Sequence, residues 1–176
     1  MAEVTAQMVK ELRDRTGAGV KEAKDILVQT EGDMKKAIEI LREKGMKVSD
    51  KVQGREANEG RIELYVHPGS RMAAMVELDC ETDFVARTED FIALSKDLAL
   101  HIAAMNPRYL KPEDVPADVI AESGETPEKY YEQYVLLAQP FVKDGSRTIE
   151  DKIKETVAKV RENLVVRRFV RYEIGG

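Results

Sequence analysis

The hydrophobic period of this chain changes partway along, and that change restricts what it can fold into. Up to about residue 46 the apolar side chains recur at helical spacing. Val4, Met8 and Leu12 share one helix face, Ala23, Ile26 and Leu27 a second, and Ala37, Ile38 and Leu41 a third. "TGAG" and "TEGD" separate the three helices. Gly17 or Gly19 supplies the left-handed residue that ends the first, Asp33 caps the third, and Gly45 closes it. From Ile62 the period becomes two. Ile62, Leu64 and Val66 point one way, "HPGS" turns the chain, and Met72, Ala74, Val76, Leu78 and Cys80 return on one face. This predicts a hairpin with one buried face.

Helical spacing resumes from Glu89 to Met105, with Phe91, Ser95, Leu98 and Ile102 on one side and "NP" as the stop. A tyrosine-rich helix, "PEKYYEQYVLLAQ", runs up to Pro140. Thr148 and Asp151 have the spacing of a capping box and open a last helix striped by Ile149, Ile153, Val157, Val160 and Leu164. "VVRRFVRYEI" alternates again and is expected to pair with the hairpin. The chain is therefore read as α+β: a three-helix module over residues 1–46, a charged, glycine-containing linker over 47–60, and a core over 61–176 in which a small antiparallel sheet of about three strands packs with helices. Such a sheet has open edges, and dimerisation is a common way to cover them.

Composition narrows the function. The chain carries 35% charged residues and a net charge of −5, which disfavours a general nucleic-acid binder. Residues 152–176 hold seven bases against three acids, but Arg167, Arg168 and Arg171 read more simply as strand-surface charges. Residues 109–151 reverse the balance, with ten acids against four bases, as a solvated acidic face does. No apolar run reaches the ~20 residues of a membrane span. The start of the chain lacks the apolar stretch of a secretory signal and is too acidic for a transit peptide. With one cysteine no internal disulfide can form, so a cytoplasmic setting is expected.

Known reaction chemistry finds little support. Neither a "GxxxxGK[ST]" nor a "GxGxxG" loop is present, so no nucleotide cofactor is expected. His67 and His101 lie in different elements without ligands at metal spacing, and both read as structural or surface residues. Cys80 reads as a buried, inert thiol on the apolar face of its strand. "ELDCETD" concentrates four carboxylates, but a strand followed by a turn splays them, and the spacing is not that of a calcium loop.

The unusual stretch is "DCETDFVART", residues 79–88. A phenylalanine follows two acids and a threonine where a strand gives way to a helix. Taken alone, Phe84 reads first as an anchor pinning the helix to the sheet. The other reading is an interface aromatic, because Thr82 and Asp83 beside it sit at a helix start, away from the core.

Several segments, in order, resemble the elongation factor Ts family. "ETDFVA" resembles its signature turn. "VTAQMVKELRDRTGAGVKEAKDIL" and "GDMKKAIEILREKG" resemble its N-terminal ubiquitin-associated-like module. "GREANEGRIELYVH", "QPFVKD" and "VRENLVVRRFVRYEIG" resemble its core. The resemblance implies a guanine nucleotide exchange factor that binds elongation factor Tu and releases GDP by disturbing the magnesium and phosphate site, without covalent chemistry. It implies that Thr82, Asp83, Phe84 and Val85 form the inserted turn, and that Leu12, Arg13 and Lys24 lie at the module's contact. The chain has one copy of the core, unlike longer members, and short members work as homodimers. Direct nucleotide, metal, nucleic-acid or membrane binding is not expected. The linker "MKVSDKVQGRE" mixes signs where the family's is basic, so contacts through linker lysines are not carried over. The other function classes are a ubiquitin-binding module on an oligomerising core, an enzyme, and an RNA binder. The "ETDFVA" turn, of no use to a ubiquitin binder, favours the exchange factor.

Overall fold

The computed structural model describes residues 4–176, and residues 1–3, the start of the expected module, lie outside the described residues. Helix α1 (Ala6–Thr16) is capped by Thr5 and ends at Gly17, whose φ of 71° is the left-handed value that a glycine takes without strain. Helix α2 (Val20–Gln29) follows. Helix α3 (Met34–Val52) starts at Asp33, whose carboxylate accepts the backbone N–H groups of Lys35 and Lys36. Leu12, Ala23, Ile26, Leu27, Ala37 and Leu41 form the module's own core.

Gly45 does not close α3. The helix runs through it to Val52, so residues 47–52 are helical. The glycine serves close approach instead: a Cβ at position 45 would stand 3.2 Å from the Ala158 Cβ of the last helix. The cost of a mid-helix glycine, about 0.5–1 kcal/mol, is offset by that packing. The same contact seats the module on the rest of the molecule, helped by the Arg42–Glu155 ion pair at 3.7 Å.

Strand β1 (Glu59–Val66) pairs antiparallel with β2 (Met72–Cys80). After β2 come the one-turn helix α4 (Asp83–Ala86) and the long helix α5 (Glu89–Met105). Helices α6 (Ala117–Ser123) and α7 (Pro127–Tyr134) build a small satellite around Val115, Tyr130 and Val135. The tyrosine-rich helix stops at Tyr134, and Leu136–Ala138 continue as a 3₁₀ turn. A short hairpin that the sequence pattern does not announce, β3 (Pro140–Phe141) with β4 (Asp144–Thr148), precedes helix α8 (Ile149–Val160). The capping box of α8 is present, with Thr148 and Asp151 bonded reciprocally. Leu164 lies beyond the helix, because Arg161 at φ 60° ends it, yet the side chain still reaches the core. Strand β5 (Val165–Glu173) then pairs antiparallel with β2, giving the sheet order β1-β2-β5.

Helices α5 and α8 cover one face of this sheet. Phe91, Leu94, Leu98 and Ile102 of α5 and Ile149, Ile153 and Val157 of α8 meet Ala74, Val76, Leu78 and Cys80 of β2. Each large side chain buried there contributes about 1.5–3 kcal/mol of apolar transfer free energy.

The apolar stripe of β1 does not join that core, contrary to the sequence reading. Glu63 pairs with Val76 and Leu64 with Met75, so Arg61, Glu63 and Tyr65 share the helix-covered face. Glu63 is accommodated there because Ser95 donates to it at 3.3 Å and Arg61 lies 2.9 Å away. Ile62, Leu64 and Val66 are turned to the opposite face and are 55%, 61% and 55% exposed. Met75 and Tyr172 are exposed on that face too, in register beside them.

Candidate functional site

The described residues contain no cluster of histidine, cysteine and carboxylate side chains placed to hold a metal ion. His67 is exposed, with its Nδ1 3.1 Å from the Tyr65 hydroxyl. His101 is fully buried. Its Nδ1 accepts the Val142 N–H at 3.2 Å, which leaves the proton on Nε2 to donate to Gln139 Oε1 at 3.0 Å. Burial pushes the imidazole's pKa below its ordinary value, and the Gln139 bond opposes this. The arrangement ties α5 to the residues on either side of β3 and offers no open edge for chemistry.

The turn after β2 has a different character. Thr82 is extended and caps α4, its Oγ1 accepting the Val85 N–H at 3.4 Å. Thr88 repeats the device for α5: its Oγ1 accepts from Phe91 N–H at 3.3 Å and donates to the Val85 carbonyl at 2.8 Å. Two caps six residues apart thus confine α4 to a single turn. Successive helical residues are rotated by about 100°, so Phe84 and Val85 of α4 leave the turn in different directions. Val85 takes the inward position and joins the core. Phe84 is left 79% exposed, more than any other large apolar residue among those described. Asp83 beside it is half-buried and accepts from Arg87 at 2.7 Å.

The base of the turn is fixed. Cys80 is fully buried, and its thiol donates to the Thr82 carbonyl at 3.1 Å. Burial, with the nearby Glu162 charge, pushes its pKa up to about 11. The backbone at residues 81–82 is hydrogen-bonded to the connection between α8 and β5 at Glu162. The sequence reading gives Glu162 and its neighbour Asn163 no role, and 80 residues separate them from the turn they touch.

Thr82, Asp83, Phe84 and Val85 therefore divide by orientation. Phe84 is presented outward, Asp83 and Thr82 flank it, and Val85 is an anchor beneath rather than a surface group. The three module residues divide likewise. Leu12 is fully buried in the module core, so its side chain supports the surface from inside. Arg13 and Lys24 are exposed, and Arg13 Nε donates to the Ala18 carbonyl at 3.3 Å across the α1–α2 turn. The structure does not join them to the Phe84 turn: among the described residues no hydrogen bond or ion pair links the two.

A helical module seated on an α+β core, with a one-turn helix presenting an aromatic side chain, defines a two-part binding protein. Comparison with known proteins gives it a family. The family described as Elongation factor TS matches residues 1–128. Elongation factor Ts of Herpetosiphon aurantiacus is 47% identical over 194 aligned positions, covering 98% of each chain. That of Desulforamulus reducens is 46% identical, covering 99% of this chain and 91% of its own. That of Thermodesulfovibrio yellowstonii is 47% identical, covering 98% and 96%. The chain belongs to the elongation factor Ts family, the nucleotide exchange factors of elongation factor Tu in translation elongation. No described helix is long and apolar enough to cross a membrane.

Proposed function

We propose that this chain speeds GDP release from elongation factor Tu by inserting Phe84, flanked by Thr82 and Asp83, into the partner's GTPase domain near its magnesium and phosphate site. The observation that carries the reading is the exposure of Phe84, 79%, on a turn whose base is buried and hydrogen-bonded. A large aromatic left in water on a rigid mount contributes little to folding and is poised to bury its area in a partner. Exchange follows by linkage. A factor that binds the form lacking GDP and magnesium more tightly than the GDP form weakens GDP by the same factor. A factor with equal affinity for both shifts nothing. The protein acts by binding, with no covalent step and no cofactor of its own.

The module at residues 1–46 is the second grip in this scheme, with Arg13 and Lys24 at the contact and Leu12 holding their helices in place. Residues 47–60, of which 47–52 continue α3 and 59–60 open β1, join it to the core at 61–176, and the working compartment is the cytoplasm. The decisive measurement is GDP release from elongation factor Tu. Phe84→Ala should slow it at least tenfold, the loss of about 1.4 kcal/mol or more expected at an interface hot spot. An unchanged rate with a folded variant would reject the wedge.

The open sheet face supports a homodimer. Ile62, Leu64, Val66, Met75 and Tyr172 lie together on it, each left exposed by the described residues. An apolar face of this kind on a short, single-core chain suits a second copy of itself. Leu64→Glu should shift sedimentation from dimer to monomer. A monomeric wild type, alone and with elongation factor Tu, would refute the dimer.

A further inference from the structure

A helix of one turn cannot hold its own shape, since nucleation is unfavourable and too few bonds follow. Helix α4 is held from across the fold by Glu162, in the connection from α8 to β5. Glu162 Oε2 accepts two backbone N–H groups, from Glu81 at 3.1 Å and from Thr82 at 3.0 Å. Its Oε1 accepts the Thr82 hydroxyl at 2.7 Å. The connection is reciprocal, because the Glu81 carboxylate accepts the Asn163 N–H at 2.7 Å. Asn163 Nδ2 in turn donates to the Arg55 carbonyl at 2.7 Å, and the Arg55 guanidinium lies 3.6 Å from Glu81. Hydrogen bonds to a carboxylate are roughly twice as strong as neutral ones.

The consequence falls on Thr82. Its hydroxyl proton is committed to Glu162, which leaves the oxygen's lone pairs free to receive the Val85 N–H and cap α4. Its N–H goes to Glu162, and its carbonyl receives the Cys80 thiol and the Ala86 N–H. Every polar group of the residue that opens α4 is engaged, and two of them end on one carboxylate. Phe84 has almost no packing of its own, so the direction in which it leaves the surface is inherited from Thr82.

We infer that Glu162 is the positioning residue of the exchange turn, acting through Thr82 to fix the direction of Phe84. The inference rests on the reading of Phe84 as the inserted group. Preorganisation of this kind acts at the step in which Phe84 inserts, after the complex has formed. Its loss should appear in the rate at saturating exchange factor more than in the concentration needed to reach half of that rate.

The experiment compares Glu162→Ala, Glu162→Gln, Phe84→Ala and the Glu162→Ala/Phe84→Ala double variant in GDP release from elongation factor Tu. Glu162→Ala should lower the saturating rate roughly tenfold, as misplacement of a working group does. Glu162→Gln should stay within about threefold of wild type, since its amide oxygen still accepts the two N–H groups. The double variant should be no slower than Phe84→Ala, because a misaimed residue that is absent cannot be missed. Amide exchange should accelerate at Glu81 and Thr82 in Glu162→Ala while β2 stays protected, a change that a general loss of stability would not confine there. If Glu162→Ala does not fold, Glu162→Met, which keeps the side chain's length and gives up all three bonds, takes its place; its slowing must vanish in the Phe84→Ala background, and a wild-type rate for it overturns the positioning role. A slow Phe84→Ala beside a wild-type rate for Glu162→Ala leaves the wedge standing and overturns the positioning role, as does additive slowing in the double variant. A wild-type rate for Phe84→Ala overturns both.

Discussion

Phe84 and Phe91 stand seven residues apart, each just inside a helix capped by a threonine, and they meet opposite surroundings. Phe91 is completely buried against the sheet, whereas Phe84 is 79% exposed. The caps are alike, so the difference comes from what the helices offer. Helix α5 is 17 residues long and lays a continuous apolar face on β2, and Phe91 is the first member of that face. Helix α4 has four residues and one inward position, which Val85 fills. One phenylalanine is therefore a stability residue and the other a group whose value lies outside the chain.

Truncation should separate the two most clearly. Phe91→Ala should cost about 3–5 kcal/mol in urea denaturation, the range for a fully buried aromatic. A loss below about 1 kcal/mol would break the comparison. Removing the second cap, Thr88→Ala, should cost about 1 kcal/mol, with the effect confined to α5 in amide exchange. A smaller effect, growing with acidity, belongs to His101 on the buried side of α5. Its folded pKa lies below the unfolded value of 6.5, so the unfolded chain takes up the proton first. The His101 contribution is intact above that pH and is lost as pH falls below it. Denaturation midpoints at about pH 7.5 and about pH 5.5 should differ less in His101→Gln than in wild type. The smallest effect is the most telling: Phe84→Ala should change folding stability by no more than about 0.5 kcal/mol. A cost near that of Phe91→Ala would make Phe84 a core anchor after all.

The two phenylalanines also show what a sequence discloses. Local sequence alone favours burial for both, because burial is the usual fate of an aromatic near an apolar strand. The outward turn of Phe84 depends on the brevity of α4, which follows from the spacing of Thr82 and Thr88 and from bonds to Glu162, a residue 80 positions away. The helices over 6–29, α5, α8 and the closing strand were legible because each buries one periodic stripe. Strand β1 misled for the same reason. Its stripe of Ile62, Leu64 and Val66 is as regular as any buried one, and period alone does not say which side faces the helices. The end of α3 was misplaced at Gly45 because a glycine that permits helix contact looks locally like one that ends a helix. Leu12, Arg13 and Lys24 were visible as a group only through family resemblance, and burial then parted Leu12 from the other two.

Cys80 gives this molecule a built-in stopwatch. Its pKa of about 11 keeps the thiolate to on the order of one molecule in ten thousand at neutral pH. The sulfur also has no exposed surface while the end of β2 is closed. An alkylating reagent must therefore wait for the strand to open, and because the chain has one cysteine, every label marks the same event. The labelling rate counts how often the floor beneath the exchange turn breathes, and a drop in that rate on adding elongation factor Tu would time how firmly the complex holds it shut.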